Sequence, residues 1–255
     1  MKLHCIPILS ALFTSLVCFS NPATKISDNS PSSGIVIRWN DCEQTIDGFG
    51  IAQAGWAKEL FAFKNRKQVM DKMFGNDGLR LNILRGEIFP HYWENKEDKD
   101  FNLNDDINIE LCDSDFNNKS DDLLRRGQLW LTLEAKNKYH INKLVFSTWS
   151  APAWMKSNGK VSNGKLKPEC YQDFANYLAA FYKAYKSKGI TPYAISPSNE
   201  PGYAAPWNSS LWTADEMGKF ITSNLGPTFQ KENIPAKIIF GENPLWSVVM
   251  PQLKM

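Results

Sequence analysis

Short apolar runs alternate with longer amphipathic stretches along most of the chain. Five of the runs have the β-branched and aromatic character of strands and end in small or polar residues. The stretches between them repeat apolar residues every three to four positions, which is typical of helices that bury one face. The predicted strands are residues 45–52, 79–86, 141–149, 191–199 and 236–243, and the predicted helices are residues 65–75, 120–139, 167–189 and 213–233.

Two helix ends carry recognisable signals. Thr213 is followed three residues later by Glu216, a spacing that predicts a capping box at the start of a helix. Gly189 closes the long aromatic helix, where a glycine is typical of a helix end. The stretch from His91 to Ser120 is rich in Asn and Asp and is predicted to be a surface loop.

The repeated order of strand and helix predicts an α/β fold in which helices cover parallel strands. Both a doubly wound sheet and a β/α barrel fit this order. No Gly-rich phosphate loop follows any predicted strand, which weakens the nucleotide-binding version. A barrel places functional side chains at the carboxyl ends of several strands. The residues that fit this pattern are Gly48, Gly50, Arg85, Trp149, Trp154, Asn199, Glu200 and Glu242.

The N-terminal region divides into three segments ahead of the barrel. Residues 1–20 combine Lys2, an apolar run and small residues, which is typical of a secretory signal peptide. Residues 21–34 are rich in Ser, Pro and Asn and read as a linker, and residues 35–45 begin with a short predicted strand. We therefore expect an exported protein, extracellular, periplasmic or lysosomal, whose barrel occupies residues 46–255.

The amino-acid composition indicates which kinds of binding partner are expected. The 255 residues carry 29 basic and 27 acidic side chains, a balance that argues against a dedicated nucleic-acid binder. No segment after the signal is apolar over a length that predicts a membrane span. Nine Trp, eight Tyr and fifteen Phe suit a core and also suit stacking on flat ligand faces such as sugar rings.

Three cysteines lie beyond the predicted signal peptide. Cys42, Cys112 and Cys170 are too widely spaced for the common zinc patterns. At most one disulfide can form among them, and any of the three pairs, or none, fits the spacing.

Glu200 is the leading candidate for chemistry. It lies between Asn199 and Pro201 at the end of the fourth predicted strand, and the proline ends the strand because it has no N–H for a ladder. A carboxylate beside an amide at a strand end suits a general acid. The alternative is a Glu in an ordinary surface turn.

Two further features accompany Glu200. Trp149 and Trp154 flank a Ser-Ala-Pro turn, so they belong either to the core or to a wall on which a sugar stacks, and the pair favours the wall. Arg85 closes an apolar strand and needs a polar partner. It either pairs with a structural carboxylate or holds a substrate hydroxyl or catalytic carboxylate.

Three motifs together resemble glycoside hydrolase family 30. They are IDGFG at residues 46–50, STWSAPAWMKSNG at 147–159 and SPSNEP at 196–201. The resemblance runs in order from about Gln44 to Asn243. Residues 211–229 also resemble the helix that follows Asn-Glu-Pro in the glucosylceramidase-like branch. That family includes glucosylceramidases, β-1,6-glucanases and endo-xylanases.

The resemblance implies a (β/α)8 TIM barrel with a small β-sandwich at its side, to which the strand in residues 35–45 would belong. It implies retaining hydrolysis of β-glycosidic bonds in a carbohydrate or glycolipid, by two glutamates and without a metal or cofactor. Glu200 matches the family's acid/base, and Asn199 matches the amide that contacts the 2-hydroxyl. Arg85 and Trp149 match active-site positions. The resemblance does not determine which sugar and linkage the protein cleaves, or its oligomeric state.

In that family the second glutamate, the nucleophile, lies at the end of the seventh barrel strand, whereas the sequence supplies five predicted barrel strands. We therefore expect a partial barrel of about five βα units that is inactive by itself. Glu242 ends the strand beside that of Glu200, and neighbouring strands lie about 4.8 Å apart, so a carboxylate pair is geometrically allowed. The family's nucleophile approaches from the opposite face of the sugar, so we expect Glu242 to contact substrate or to be structural.

Three interpretations of the whole chain follow. The favoured one is the front part of a longer retaining hydrolase. A second is a truncated product that binds glycans without turnover, or is vestigial. A third is a different parallel-sheet enzyme or non-catalytic barrel in which the Asn-Glu-Pro sequence is coincidental.

Overall fold

The structure is a computed structural model that describes residues 38, 40–41, 44–53, 56–93, 96–97 and 127–243. The chain divides into two units, Met1–Thr45 and Ile46–Met255, and all the helices and strands given below belong to the second. The predicted signal peptide and linker lie outside the described residues. So do most of the strand predicted in residues 35–45 and most of the predicted loop at 91–120, and these stay predictions.

Five parallel strands form one sheet. Each strand pairs with the next one along the chain, so their order in the sheet is the order in the sequence. A doubly wound sheet reverses its strand order at a switch point, whereas a β/α barrel does not. The sheet therefore confirms the predicted partial barrel. The strands are β1 (Gly50–Ala52), β2 (Ile83–Ile88), β3 (Lys143–Thr148), β4 (Ala194–Ser196) and β5 (Lys237–Ile238).

The helices lie between the strands, as predicted. They are α1 (Ala57–Ala62), α2 (Arg66–Phe74), α3 (Gly127–Tyr139), α4 (Tyr171–Ser187), α5 (Ala214–Phe220) and α6 (Gly226–Lys231), with 3-10 turns at Ala153–Met155 and Pro168–Cys170. Helix α1 was not predicted, because six residues are too few for a periodic pattern. None of these described helices combines the length and the apolar character needed to cross a membrane.

The helix predicted over residues 213–233 contains a π-helical turn, Ile221–Leu225, between α5 and α6. Pro227 lies two residues after this turn, in α6, and a proline within a helix lacks an N–H and crowds the carbonyl of the preceding turn. The Gly226 N–H reaches back five residues to the Ile221 carbonyl, which is the wider hydrogen bond of a π turn. The wider turn accommodates the proline without ending the helical segment.

Strand β2 begins four residues later than predicted. The Leu79 and Leu81 N–H groups donate to the carbonyls of Lys72 and Met73, so the apolar residues at 79–81 close the turn after α2 instead of joining the sheet. The strand then continues past Gly86 to Ile88. Arg85 consequently lies within the strand and not at its end, and its long side chain has to reach the carboxyl edge.

The sequence analysis placed Gly48 and Gly50 at the carboxyl end of a strand, and this prediction was wrong. The two glycines lie at the amino end of β1. A Cβ on Gly50 would lie 2.8 Å from Ile83, and one on Gly48 would lie 1.9 Å from the Asn82 side chain. Both glycines therefore allow β1 to approach β2 closely. Their role in the structure is packing of the sheet.

Alternation along β2 and β3 separates the helix-covered face of the sheet from the opposite face. A Cβ on Gly86 would lie 2.7 Å from both Gln128 of α3 and Phe146, so position 86 faces the helices. Phe146 packs edge-to-face on Phe181 and Tyr185 of α4, at ring-centroid distances of 5.1 and 4.9 Å. Because neighbouring strand residues point to opposite faces, Arg85 and its neighbours at 87 and 147 lie on the other face.

Both predicted helix signals are confirmed. The Thr213 hydroxyl accepts from the Glu216 N–H at 3.2 Å, and the Glu216 carboxylate accepts from the Thr213 N–H at 2.8 Å, completing the capping box. At the end of α4, Gly189 has φ +82°, and the N–H groups of Gly189 and Ile190 donate to the carbonyls of Lys186 and Tyr185. Glycine suits this left-handed position because it has no Cβ.

Removing the capping hydroxyl tests the contribution of this helix start. Thr213→Ala is expected to lower the free energy of unfolding by about 1 kcal/mol, because the Glu216 N–H loses its acceptor. Urea unfolding followed by circular dichroism measures the change. Thr222→Ala is the matched control: its exposed hydroxyl donates only within the helix, and we expect a change within about 0.5 kcal/mol. Equal effects of the two substitutions would contradict the prediction.

Candidate active site

Polar and aromatic residues meet at the carboxyl edge of the sheet. The Asn199 N–H donates to the Thr148 carbonyl at 2.6 Å, and the Glu200 N–H donates to the Glu242 carbonyl at 2.9 Å. These bonds continue the pairing of β4 with β3 and β5 beyond the last strand residues. Asn199, Glu200 and Glu242 therefore lie at one edge, beside Trp149, which directly follows β3.

Arg85 connects the residues of this edge. Its Nε donates to Glu242 Oε1 at 3.0 Å, and its Nη2 donates to Asn199 Oδ1 at 2.7 Å. Its guanidinium carbon lies 4.6 Å from the centroid of the Trp149 ring, within the range of a cation–π contact. The Arg85 side chain thus joins the segments that follow β3, β4 and β5. The sequence predicted that Arg85 needs a polar partner, and it has two, the Glu242 carboxylate and the Asn199 amide.

Glu242 is held at both carboxylate oxygens. Oε1 accepts from Arg85, and Oε2 accepts from the Ser147 hydroxyl at 2.6 Å. Ser147 is fully buried on β3 and was not among the sequence candidates. The sequence does contain a sign of its role, because the apolar run of this strand ends in the polar residues Ser147 and Thr148 directly before Trp149. Glu242 therefore orients Arg85, which is the structural role that the sequence left open for it.

Glu200 has a different environment from Glu242. It is half-buried, and among residues 38–243 that the structure describes, no hydrogen bond or ion pair engages its carboxylate. Its φ is +44°, the left-handed region that non-glycine residues rarely adopt. Such backbone strain is concentrated at functional sites. The edge thus combines one carboxylate that is bound at both oxygens with one that has no partner among the described residues.

A tight turn holds Glu200 in this conformation. The Glu200 carbonyl accepts from the Tyr203 N–H at 3.0 Å, and the two central residues are Pro201 and Gly202, whose φ is +96°. Proline followed by a glycine with positive φ is typical of a type II turn. The Asn-Glu-Pro-Gly sequence therefore encodes both the end of the strand and the reversal that leaves the carboxylate at the edge.

Trp149 and Trp154 do not form a single surface. Trp149 belongs to the Arg85 network, whereas Trp154 lies on the 3-10 turn, packs on the core and donates its indole N–H to the Trp93 carbonyl at 3.2 Å. No hydrogen bond or ring contact joins Trp154 to Arg85, Asn199 or Glu200 within the described part of the chain. The predicted wall of two tryptophans is thus brought together only in part.

The loop after Glu200 carries aromatic side chains that the sequence analysis did not single out. Tyr203 and Trp207 are 46% and 52% exposed, and their ring centroids lie 6.4 Å apart. A separate groove of about 400 Å³ lies between α5 and the end of β5, bordered by Pro201, Met217 and Phe240. None of the residues of the Arg85 network lines that groove.

The described ranges bear on two further questions, metal ligation and the state of one cysteine. Among those residues, no group of three or more His, Cys, Asp or Glu side chains is placed to hold a metal ion. Cys170 is a free, buried thiol whose burial raises its pKa, and Cys42 and Cys112 lie outside the described residues.

Residues 46–241 match the glycosyl hydrolase family 30 TIM-barrel domain. The chain is 28% identical over 237 residues to the endo-1,6-beta-D-glucanase of Neurospora crassa, a match that covers 86% of this chain and 45% of that protein. It is 30% identical over 123 residues to the lysosomal acid glucosylceramidase of Mus musculus, covering 42% of this chain and 24% of that protein. The chain spans less than half the length of these curated relatives.

Solved structures show the same likeness. The catalytic domain of GH30 xylanase C from Talaromyces cellulolyticus superposes with a TM-score of 0.65 at 27% sequence identity. The match covers 83% of this chain and 50% of the xylanase.

Proposed function

Because the chain belongs to glycosyl hydrolase family 30, we propose that it supplies the acid/base part of a retaining β-glycosidase, with Glu200 as the acid/base. The observation that carries the proposal is the contrast between the two carboxylates at the sheet edge. The Glu242 carboxylate is bound by Arg85 and Ser147, whereas the carboxylate of the half-buried Glu200 has no partner among the described residues. An unengaged carboxyl group at a strand end is suited to exchange a proton with a substrate oxygen.

Glu200 acts twice in this mechanism. It first donates its proton to the departing glycosidic oxygen, and it then removes a proton from the water that hydrolyses the glycosyl-enzyme. Asn199 is oriented for a supporting role: its Oδ1 accepts from Arg85, so its amide N–H group is left to donate to a sugar hydroxyl. Arg85, stacked on Trp149, holds that amide in place.

The nucleophile is inferred to lie outside the described residues. Retention requires a second carboxylate about 5 Å from the first, on the opposite face of the sugar. Glu242 lies four residues beyond β5, where its own carbonyl accepts from the Glu200 N–H, and both of its carboxylate oxygens are engaged. This placement suits a residue that orients Arg85 and not one that attacks from the other face.

The relatives support a β-linked glucan, xylan or glucosylceramide-type substrate, since their names cover these three classes. The predicted signal peptide and the lysosomal relative support an exported protein. A second candidate function is glycan binding without turnover. It is favoured by the presence of one unengaged carboxylate, and not two, among the edge residues.

An assay of the 255-residue chain tests these proposals together. We expect it to bind the β-1,6-linked disaccharide gentiobiose, measured by calorimetry, and to release no nitrophenol from p-nitrophenyl β-D-glucoside or β-D-xyloside. The reason is that the described residues place no second carboxylate opposite Glu200. The matched pair of variants is Glu200→Gln and Glu59→Gln, the latter on the exposed face of α1.

Each outcome has a distinct meaning. Nitrophenol release that is lost in Glu200→Gln but kept in Glu59→Gln would contradict the inactivity of the chain while supporting the acid/base role. Release that survives Glu200→Gln would contradict the acid/base role. Absence of both binding and release would count against the proposed function.

A further inference from the structure

We infer that Lys156 is a positioning residue that fastens the loop after β3 to the loop after β4. The first loop, residues 149–167, carries Trp149 and Trp154. The second, residues 199–212, carries Glu200 and the exposed Trp207. The inference rests on the proposed function in one respect, because it takes these two loops to border the substrate.

The contacts of Lys156 span both loops. Its Nζ donates to Ser150 Oγ at 3.0 Å within its own loop, and to the Ser209 carbonyl at 2.7 Å and Ser210 Oγ at 2.9 Å in the other. The side chain has no exposed surface. An ammonium group has three donors, and here each has an acceptor. The amine is therefore fully used in joining the two loops.

The acceptors of Lys156 are close in sequence to the aromatic residues of both loops. Ser150 directly follows Trp149, Lys156 lies two residues after Trp154, and Ser209 lies two residues after Trp207. Backbone bonds from Ser209 to Val161 and from Leu211 to Gly164 join the same loops further along. Lys156 adds a link from Ser209 and Ser210 to Ser150, next to Trp149, and the Asn199 N–H joins the start of the second loop to the Thr148 carbonyl at the end of β3.

Packing alone does not account for an amine at this position. No acidic side chain of the described ranges forms an ion pair with Lys156, and a buried charge without a counter-charge is costly. A methionine would fill a similar volume without that cost. Besides Lys156, the charged groups on the two loops and at the start of α5 are Lys160, Lys165, Lys167, Glu200, Asp215 and Glu216, of which Lys165 and Glu216 pair with each other.

Burial lowers the pKa of Lys156 from 10.5 to about 8. The folded protein therefore holds the proton less tightly than the unfolded chain does. Below pH 8 both states are charged, so the folded state carries the full cost of the buried charge. That cost is relieved as the pH rises from about 8 towards 10.5, and the stability contributed by this group rises over the same range.

Fluorine NMR of the 5-fluorotryptophan-labelled chain tests the inference without any ligand. Signals of Trp154, Trp207 and Trp130 are assigned by single Trp→Phe variants. In the wild type, the Trp154 and Trp207 signals are expected to titrate together with a midpoint near pH 8, while Trp130 on α3 stays constant. Trp154 and Trp207 signals that stay flat from about pH 6.5 to about pH 10 would overturn the inference, and this result needs no lysine variant.

Two lysine variants separate positioning from general stability. Lys156→Met is expected to shift the Trp154 and Trp207 signals and to abolish their titration. Lys165→Met, on the same loop but half-exposed and paired with Glu216, is expected to keep it. Titration that persists in Lys156→Met overturns the inference. So does a shift of the Trp130 signal as large as those of Trp154 and Trp207.

Sugar binding separates this inference from the proposed function. If both hold, Lys156→Met weakens gentiobiose binding at least tenfold at pH 6.5, and Lys165→Met changes it less than twofold. A wild-type chain that titrates as expected but binds no gentiobiose overturns the proposed function while it supports the positioning by Lys156. Unchanged gentiobiose affinity in Lys156→Met overturns the positioning.

Discussion

In a longer form of the protein that contains the inferred nucleophile, Glu200→Gln is expected to lower kcat/KM for gentiobiose by a factor of about 10² to 10⁴. Glutamine preserves the size of the side chain and the turn formed with Tyr203, but it has no proton to donate to the leaving oxygen. Initial rates measured with gentiobiose and with 2,4-dinitrophenyl β-D-glucoside give the comparison. The aryl glycoside should lose much less in its bond-cleavage step, because dinitrophenolate leaves without a proton.

The difference between the two substrates distinguishes loss of proton transfer from a general loss of activity. Added azide, which needs no general base, should restore turnover of the aryl glycoside by Glu200→Gln. Glu59→Gln, a carboxylate-to-amide change on the exposed surface of α1, controls for loss of charge. Equal losses on the two substrates, with no effect of azide, would show that Glu200 contributes something other than proton transfer.

Arg85→Met is expected to lower the free energy of unfolding by about 2–4 kcal/mol and to weaken gentiobiose binding at least tenfold. The substitution keeps an apolar stem but leaves Glu242 and Asn199 Oδ1 without their donor. The side chains of Arg85 and Glu242 are only 22% and 20% exposed, so water replaces the lost hydrogen bonds incompletely. Urea unfolding and calorimetric titration measure the two effects.

Two further variants identify the cause. Arg85→Lys keeps the charge but lacks the planar fork that reaches an acid and an amide together, so an intermediate loss is expected. In the double variant Arg85→Met with Glu242→Gln, the loss of stability should be smaller than the sum of the single losses, because the buried charge is removed with its partner. An Arg85→Met chain as stable as the wild type would contradict the structural importance of this network.

The two expected effects differ because Arg85 and Glu200 have different environments at the sheet edge. Arg85, Glu242 and Ser147 satisfy one another and form a rigid base, whereas Glu200 lies next to that base without sharing its hydrogen bonds. Glu200 is tied to the base through its backbone, by the bond from its N–H to the Glu242 carbonyl at 2.9 Å. The carboxylate is thus positioned by the main chain and left free at its side chain.

The sequence by itself determined the features that depend on near neighbours. The alternation of apolar runs predicted the strands and most helices, because burial of one face imposes a period on the local chain. Thr213 with Glu216 and Gly189 marked helix ends, since caps involve residues a few positions apart. Pro201 marked the end of the fourth strand for the same reason, and three motifs indicated the family that the comparison over residues 46–241 confirmed.

Only the tertiary structure decided how the functional side chains combine. Arg85 meets Asn199 and Glu242 across 114 and 157 residues of sequence, distances over which no local pattern acts. The same is true of Ser147 with Glu242 and of Lys156 with Ser209. Parallel strands bring such residues to one edge only after the sheet has formed. Which carboxylate is engaged and which is free therefore depends on the register and packing of the whole sheet.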